Sequence, residues 1–222
     1  MKKMHKRAMA LCLTAALCSG LFAGCGGEKN TAETQQATEA QAADVQTESS
    51  DIYVEKIDGI SDDFIRGMDA SEVLSLENSG VKYYDYDGNE QDIFKTLADS
   101  GVNYIRLRVW NDPYDKDGNG YGGGNCDLNT AVELGKRATK YGMKVNIDFH
   151  YSDFWTDPKR QNCPKAWEGM DLEQKKEALY QFTKDSLNTL LDAGVDVEMV
   201  QIGNEINYGL AGENCSLILC SF

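Results

Sequence analysis

From Asp63 onward the chain repeats one unit, a short apolar strand followed by an amphipathic helix, and each strand ends in polar and aromatic residues. Phe64 to Ala70 reads as a first strand. A helix follows from about Gln91 to Ser100, with Ile93, Phe94 and Leu97 on one face and Gly101 at its end. Tyr104 to Trp110 is a second strand, in which Ile105, Leu107 and Val109 point one way and Tyr104, Arg106, Arg108 and Trp110 the other. Asp127 is placed to cap a helix running to about Tyr141, whose apolar face carries Leu128, Ala131, Val132, Leu134 and Ala138 and which Gly142 stops. Lys144 to Phe149 is a third strand, Leu172 to Ala193 a long helix stopped by Gly194, and Met199 to Gly203 a fourth strand.

Strands alternating with helices imply a parallel sheet with helices packed on its outer face. Doubly wound sheets use the same units, so periodicity does not choose between them and a barrel. No GxGxxG follows a strand and no phosphate loop is present, which weakens a nucleotide-binding reading. The polar clusters decide: Asp69, Arg108 to Asp112, Asp148 to Tyr151 and Gly203 to Glu205 all fall at strand C-termini, where barrel enzymes build their sites. The expected fold class is α/β, a (β/α)8 TIM barrel, of which residues 59–213 supply about four strands.

The first residues read as an address. Lys2, Lys3, Lys6 and Arg7 precede an apolar run from Ala8 to Phe22 that is too short to span a bilayer comfortably. Leu21-Phe22-Ala23-Gly24-Cys25 resembles a bacterial lipobox, so 1–25 is expected to be a lipoprotein signal with lipidation at Cys25; cleavage nearby would instead release a secreted protein. Either way, export is expected, and lipidation at Cys25 would make the membrane a partner through the anchor. Residues 26–58 are polar and nearly free of aliphatic side chains other than Ala until their end, as in a flexible spacer. The net charge of −14 argues against a nucleic-acid partner. Cys126 and Cys163 fall on loops at one end of the barrel, and a free pair is favoured over a bridge.

Glu205 is the candidate for the chemistry. Cleaving a glycosidic bond takes one carboxylic acid to protonate the leaving oxygen and a second carboxylate opposite it. Taken alone, an Asn204-Glu205 pair at a strand end is a commonplace helix start. On the same rim, however, lie His150 and the arginines Arg106 and Arg108, which need carboxylate partners if buried. Trp110, Tyr151, Trp155 and Trp167 offer flat faces for sugar rings, and with the Gly118–Gly124 loop suggest an open polysaccharide groove. Asp115-Lys116-Asp117-Gly118-Asn119-Gly120 imitates a calcium loop but has Cys126 where the pattern wants Glu, so a substrate loop is the preferred reading and no metal site or cofactor is expected.

The blocks Arg66–Ser71, Arg106–Pro113, Asp148–Pro158 and Gly203–Asn207 together resemble glycoside hydrolase family 53, from about Asp63 to Glu213. The resemblance implies a clan A barrel and an endo-acting, retaining β-1,4-galactanase on type I arabinogalactan, the galactan side chains of pectin. It implies Glu205 as acid/base, Asn204 as a sugar-binding neighbour and Arg108 as a partner of the nucleophile. Arg106, His150, Asp148, Trp110, Tyr151, Trp155 and Asp69 complete the expected substrate site. A monomer is expected, and calcium is conceivable in full-length relatives. The family's nucleophile is a Glu ending the seventh strand, which has no counterpart here, and 214–222 continues no family pattern. The expectation is a half-barrel with little or no activity. Other readings are a non-catalytic galactan-binding surface lipoprotein, or another β-glycanase of the clan.

Overall fold

The strands β1 (Gly67–Asp69), β2 (Tyr104–Val109), β3 (Lys144–Phe149) and β4 (Val197–Ile202) form one parallel sheet in the order β1-β2-β3-β4. The structure, a computed structural model, describes residues 55 and 57–214. The leader with Cys25, nearly all of the 26–58 linker and residues 215–222 lie outside the described residues. Between the strands lie the helices α1 (Val73–Asn78), α2 (Ile93–Asp99), α3 (Leu128–Lys140) and α4 (Leu172–Asp192). A short antiparallel pair, β5 (Gly209–Leu210) with β6 (Glu213–Asn214), follows β4. Strand order that never reverses has no switch point, so the sheet is an arc of a barrel and not a doubly wound sheet.

Alternation sorts the two faces. Ile105, Leu107, Val109, Val145, Ile147 and Phe149 point outward and are fully buried with Ala131, Leu134 and Ala138 of α3 and Leu190 of α4. Each large member contributes about 1.5–3 kcal/mol by leaving water. Helix ends follow local chemistry: Asp92 and Asp127 accept from the backbone N–H of Phe94 and Thr130, and Asp171 forms a reciprocal box with Gln174. Gly142 and Gly194 stop α3 and α4 with φ of 75° and 80°.

Three boundaries differ from expectation. β1 is confined to Gly67–Asp69 because the segment before it is held by the Asn103 side chain instead of a ladder. Arg66 N donates to Asn103 Oδ1 at 2.8 Å, and Asn103 Nδ2 donates to Phe64 O at 3.0 Å. β4 begins earlier than Met199, because the register shifts at Val145/Asn146 and Glu198 is accommodated as a bulge. Helix α1, expected nowhere, is six residues long with Val73 as its only buried side chain. So short a turn shows no apolar period.

Candidate active site

The inner face is organised by Arg106. From the middle of β2 its guanidinium reaches β1, β3 and β4 at once: Nη1 donates to Asp69, Nη2 to Asp148 and to Asn204 Oδ1 (3.1 Å), and Nε to Gln201 Oε1 (3.2 Å). The register explains the reach, since Asp69 is the lateral partner of Arg106, and Arg108 that of Asp148. Asp148 is fully buried, with its carboxylate against Arg106 and 3.0 Å from His150 Nε2. The Thr156 backbone N–H donates to His150 Nδ1 at 3.1 Å, which leaves Nδ1 without a proton. That contact assigns the ring hydrogen to Nε2, facing Asp148, though it is not well aligned for a full hydrogen bond.

Asp69 is held charged. Burial alone would raise its pKa, but the Ser71 backbone N–H and hydroxyl, with Arg108 and Arg106, lower it below the ordinary value of 3.8. Arg108 is only 5% exposed; its Nη2 meets Glu72 at 3.1 Å and its plane lies 4.3 Å over Trp155, while Nε and Nη1 are buried without a hydrogen-bond partner among the described residues. Arg108 Nε lies 3.7 Å from Asp69 Oδ2, within ion-pair range but beyond hydrogen-bond reach.

At the end of β4, Asn204 is buried and pinned from both sides, its Oδ1 by Arg106 and its Nδ2 by the Thr156 carbonyl at 2.8 Å. One Nδ2 hydrogen remains for a ligand. Glu205, next in the chain, is exposed and has φ +52°, a left-handed conformation rare outside glycine. Its carboxylate has no ion pair among the described residues. The site therefore presents a free carboxylate beside an oriented amide, at the C-terminal end of a strand.

The aromatic residues are distributed differently from expectation. Trp155 is 41% exposed, but Trp110, Tyr151 and Trp167 are buried. Tyr151 follows the strand's own alternation onto the helix side, stacks on Phe149 (centroids 5.7 Å) and reaches Thr183 Oγ1 of α4 at 2.8 Å. Trp110 is on the inner side but capped by Phe154 and by Gly123, whose absent Cβ would sit 3.1 Å from the indole. His150 and Asp148 are likewise buried supports and do not face the groove. Cys126 is buried and Cys163 half-buried, both as free thiols. Asp115 spends its oxygens on Asp117 N, Asn119 N and Asn119 Nδ2 (2.8–2.9 Å), closing a turn on itself.

Residues 65–217 match the family model described as Glycosyl hydrolase family 53. The chain belongs to this family. The endo-beta-1,4-galactanase of Bacillus subtilis (strain 168) is 55% identical over 172 residues, 78% of this chain and 40% of that protein. The arabinogalactan endo-beta-1,4-galactanase of Humicola insolens is 41% identical over 145 residues, 65% of this chain and 41% of that one. The GH53 catalytic domain of Ignisphaera aggregans superposes with a TM-score of 0.71 at 45% identity, covering 75% of this chain and 46% of that one. The chain thus spans less than half the length of each of these relatives.

Sequence reasoning missed the residues that support the site. Glu72 pairs with Arg108, Gln201 with Arg106, and Thr156 and Gln161 with the Asn204–Glu205 peptide. Gln201 was reachable by extending the alternation along β4. Glu72, Thr156 and Gln161 lie outside regular strands, where no period marks direction.

Proposed function

We propose that the protein to which these residues belong is an endo-acting, retaining β-1,4-galactanase, in which Glu205 protonates the leaving glycosidic oxygen and then takes a proton from the attacking water. The observation that carries this reading is the Glu205 carboxylate, without an ion pair among the described residues, at the mouth of the sheet beside an Asn204 amide oriented by Arg106. The names of the relatives support the substrate, and Trp155 offers a partly exposed indole to a sugar. Asp69 and Asp148, the inner-face carboxylates bound to Arg106, are committed to it, so the second carboxylate is assigned to a later strand, about 5–5.5 Å from Glu205. The leader and Cys25 support an exported, lipid-anchored placement, which palmitate labelling abolished by Cys25→Ser would check.

The test is hydrolysis of pectic β-1,4-galactan beside mannan, xylan and β-glucan. Galacto-oligosaccharides cut from chain interiors are expected, with activity falling by ~10²–10⁴-fold in Glu205→Gln. Undiminished activity in that variant, equal cleavage of the other polymers, or binding without new reducing ends would overturn the reading.

A further inference from the structure

The loop joining β3 to α4 grips the peptide that carries Glu205. Thr156 Oγ1 and Gln161 Nε2 both donate to Asn204 O, at 3.2 and 2.8 Å. The same Gln161 amide reaches Glu205 O at 3.3 Å and Asp157 O at 3.1 Å, so two hydrogens are shared among three carbonyls. Asn204 Nδ2 returns a bond to Thr156 O. The gripped peptide is the strained one. Gly203 has φ +80°, and Glu205 follows at +52° with a full side chain. Such a conformation persists only where the surroundings over-determine it. Gln161 Oε1 is buried with no hydrogen-bond partner among the described residues. Only the donor half of this amide is used, which marks the contact as serving the carbonyls it meets.

We propose that Gln161, seconded by Thr156, is a positioning residue that holds the Asn204–Glu205 peptide in its left-handed turn and so aims the Glu205 carboxyl at the leaving oxygen. The inference rests on the reading of Glu205 as the proton donor. Without the two donors, the peptide relaxes toward an ordinary backbone conformation, which swings the carboxyl away while leaving the sheet beneath it intact. An error of about 1 Å at such a group lowers the rate by ~10²-fold.

The experiment compares two substrates in the full protein: galactan, whose sugar leaving group needs a proton, and 2,4-dinitrophenyl β-galactobioside, whose leaving group does not. In Gln161→Leu, kcat/KM for galactan is expected to fall by ~10²-fold while that for the aryl substrate stays near the unmodified value. A parallel fall on both substrates, or no fall on galactan, overturns the proposal. Glu205→Gln must show the same split. If it does not, the proton-donor reading itself fails; if it does and Gln161→Leu does not, the positioning role alone fails. Should Gln161→Leu not fold by circular dichroism, Thr156→Val against Thr156→Ser asks the same question, with the split expected for valine and its absence for serine. Equal behaviour of those two variants overturns the proposal, and an unmodified protein that cleaves neither substrate removes it together with the reading beneath it.

Discussion

Glu205 invites a perturbation that separates its backbone from its side chain. Both Glu205→Ala and Glu205→Gly delete the carboxylate, and because the side chain is exposed with no ion pair among the described residues, its removal alone changes stability little. They differ in backbone. At φ +52° an alanine keeps the left-handed penalty of about 1–2 kcal/mol, whereas glycine escapes it and loses roughly 0.5–1 kcal/mol through the greater freedom of its unfolded chain. Glu205→Gly is therefore expected to be more stable than Glu205→Ala by about 1 kcal/mol, or about 2–4 °C in Tm for a chain of this size. The assay is urea and thermal unfolding followed by circular dichroism, with both variants inactive. Glu177, exposed within α4, is the control. There glycine should be the less stable replacement by about 1 kcal/mol, since a helical interior favours alanine. If glycine and alanine are equivalent at 205, or rank as they do at 177, the site is not strained and the reasoning fails.

Arg106→Met should lose about 3 kcal/mol in urea unfolding, the lower end of the range for breaking a buried pair, because Asp148 is fully buried while Arg106 is partly exposed. Arg106→Met with Asp148→Leu should recover most of that, and a single-variant loss below about 1 kcal/mol would contradict the geometry. Asp69 has a folded pKa below its ordinary 3.8, so its stabilisation is complete above that value and is lost as pH falls through the lowered one. Asp69→Asn should accordingly flatten the acid limb of the urea midpoint below about pH 4, and an unchanged limb would refute the assignment.

The sheet was legible because its outer residues obey a strict period of two: Ile105, Leu107 and Val109 announce a face, and each lies against helices as that period requires. The identity of the rim was legible because parallel strands end together, which put His150, Asn204 and Glu205 at one mouth. Tyr151 and Trp110 were harder. The same alternation sends Tyr151 outward beside Phe149, but the burial of Trp110 depends on the Gly123 backbone and Phe154 folding over it from loops without periodicity. Thr156 and Gln161 were invisible for the same reason. Their importance lies in contacts with a peptide more than 40 residues away in the chain, and no local pattern encodes such a pairing.

The two sides of β2 differ in how far along the polypeptide they reach. Its outward residues meet helix α3, which begins soon after the strand ends. Arg106, on the other side, closes its ring of acceptors across separations of 37, 42, 95 and 98 residues. Long separations carry the larger chain-closure entropy and slow the contacts that depend on them. The helix-facing side of this strand is thus served by nearer partners, whereas the inner ring is complete only once Gln201 and Asn204 join Asp69 and Asp148. Among the described residues, the ring of contacts at the mouth of the sheet thus waits for the most distant partners along the chain.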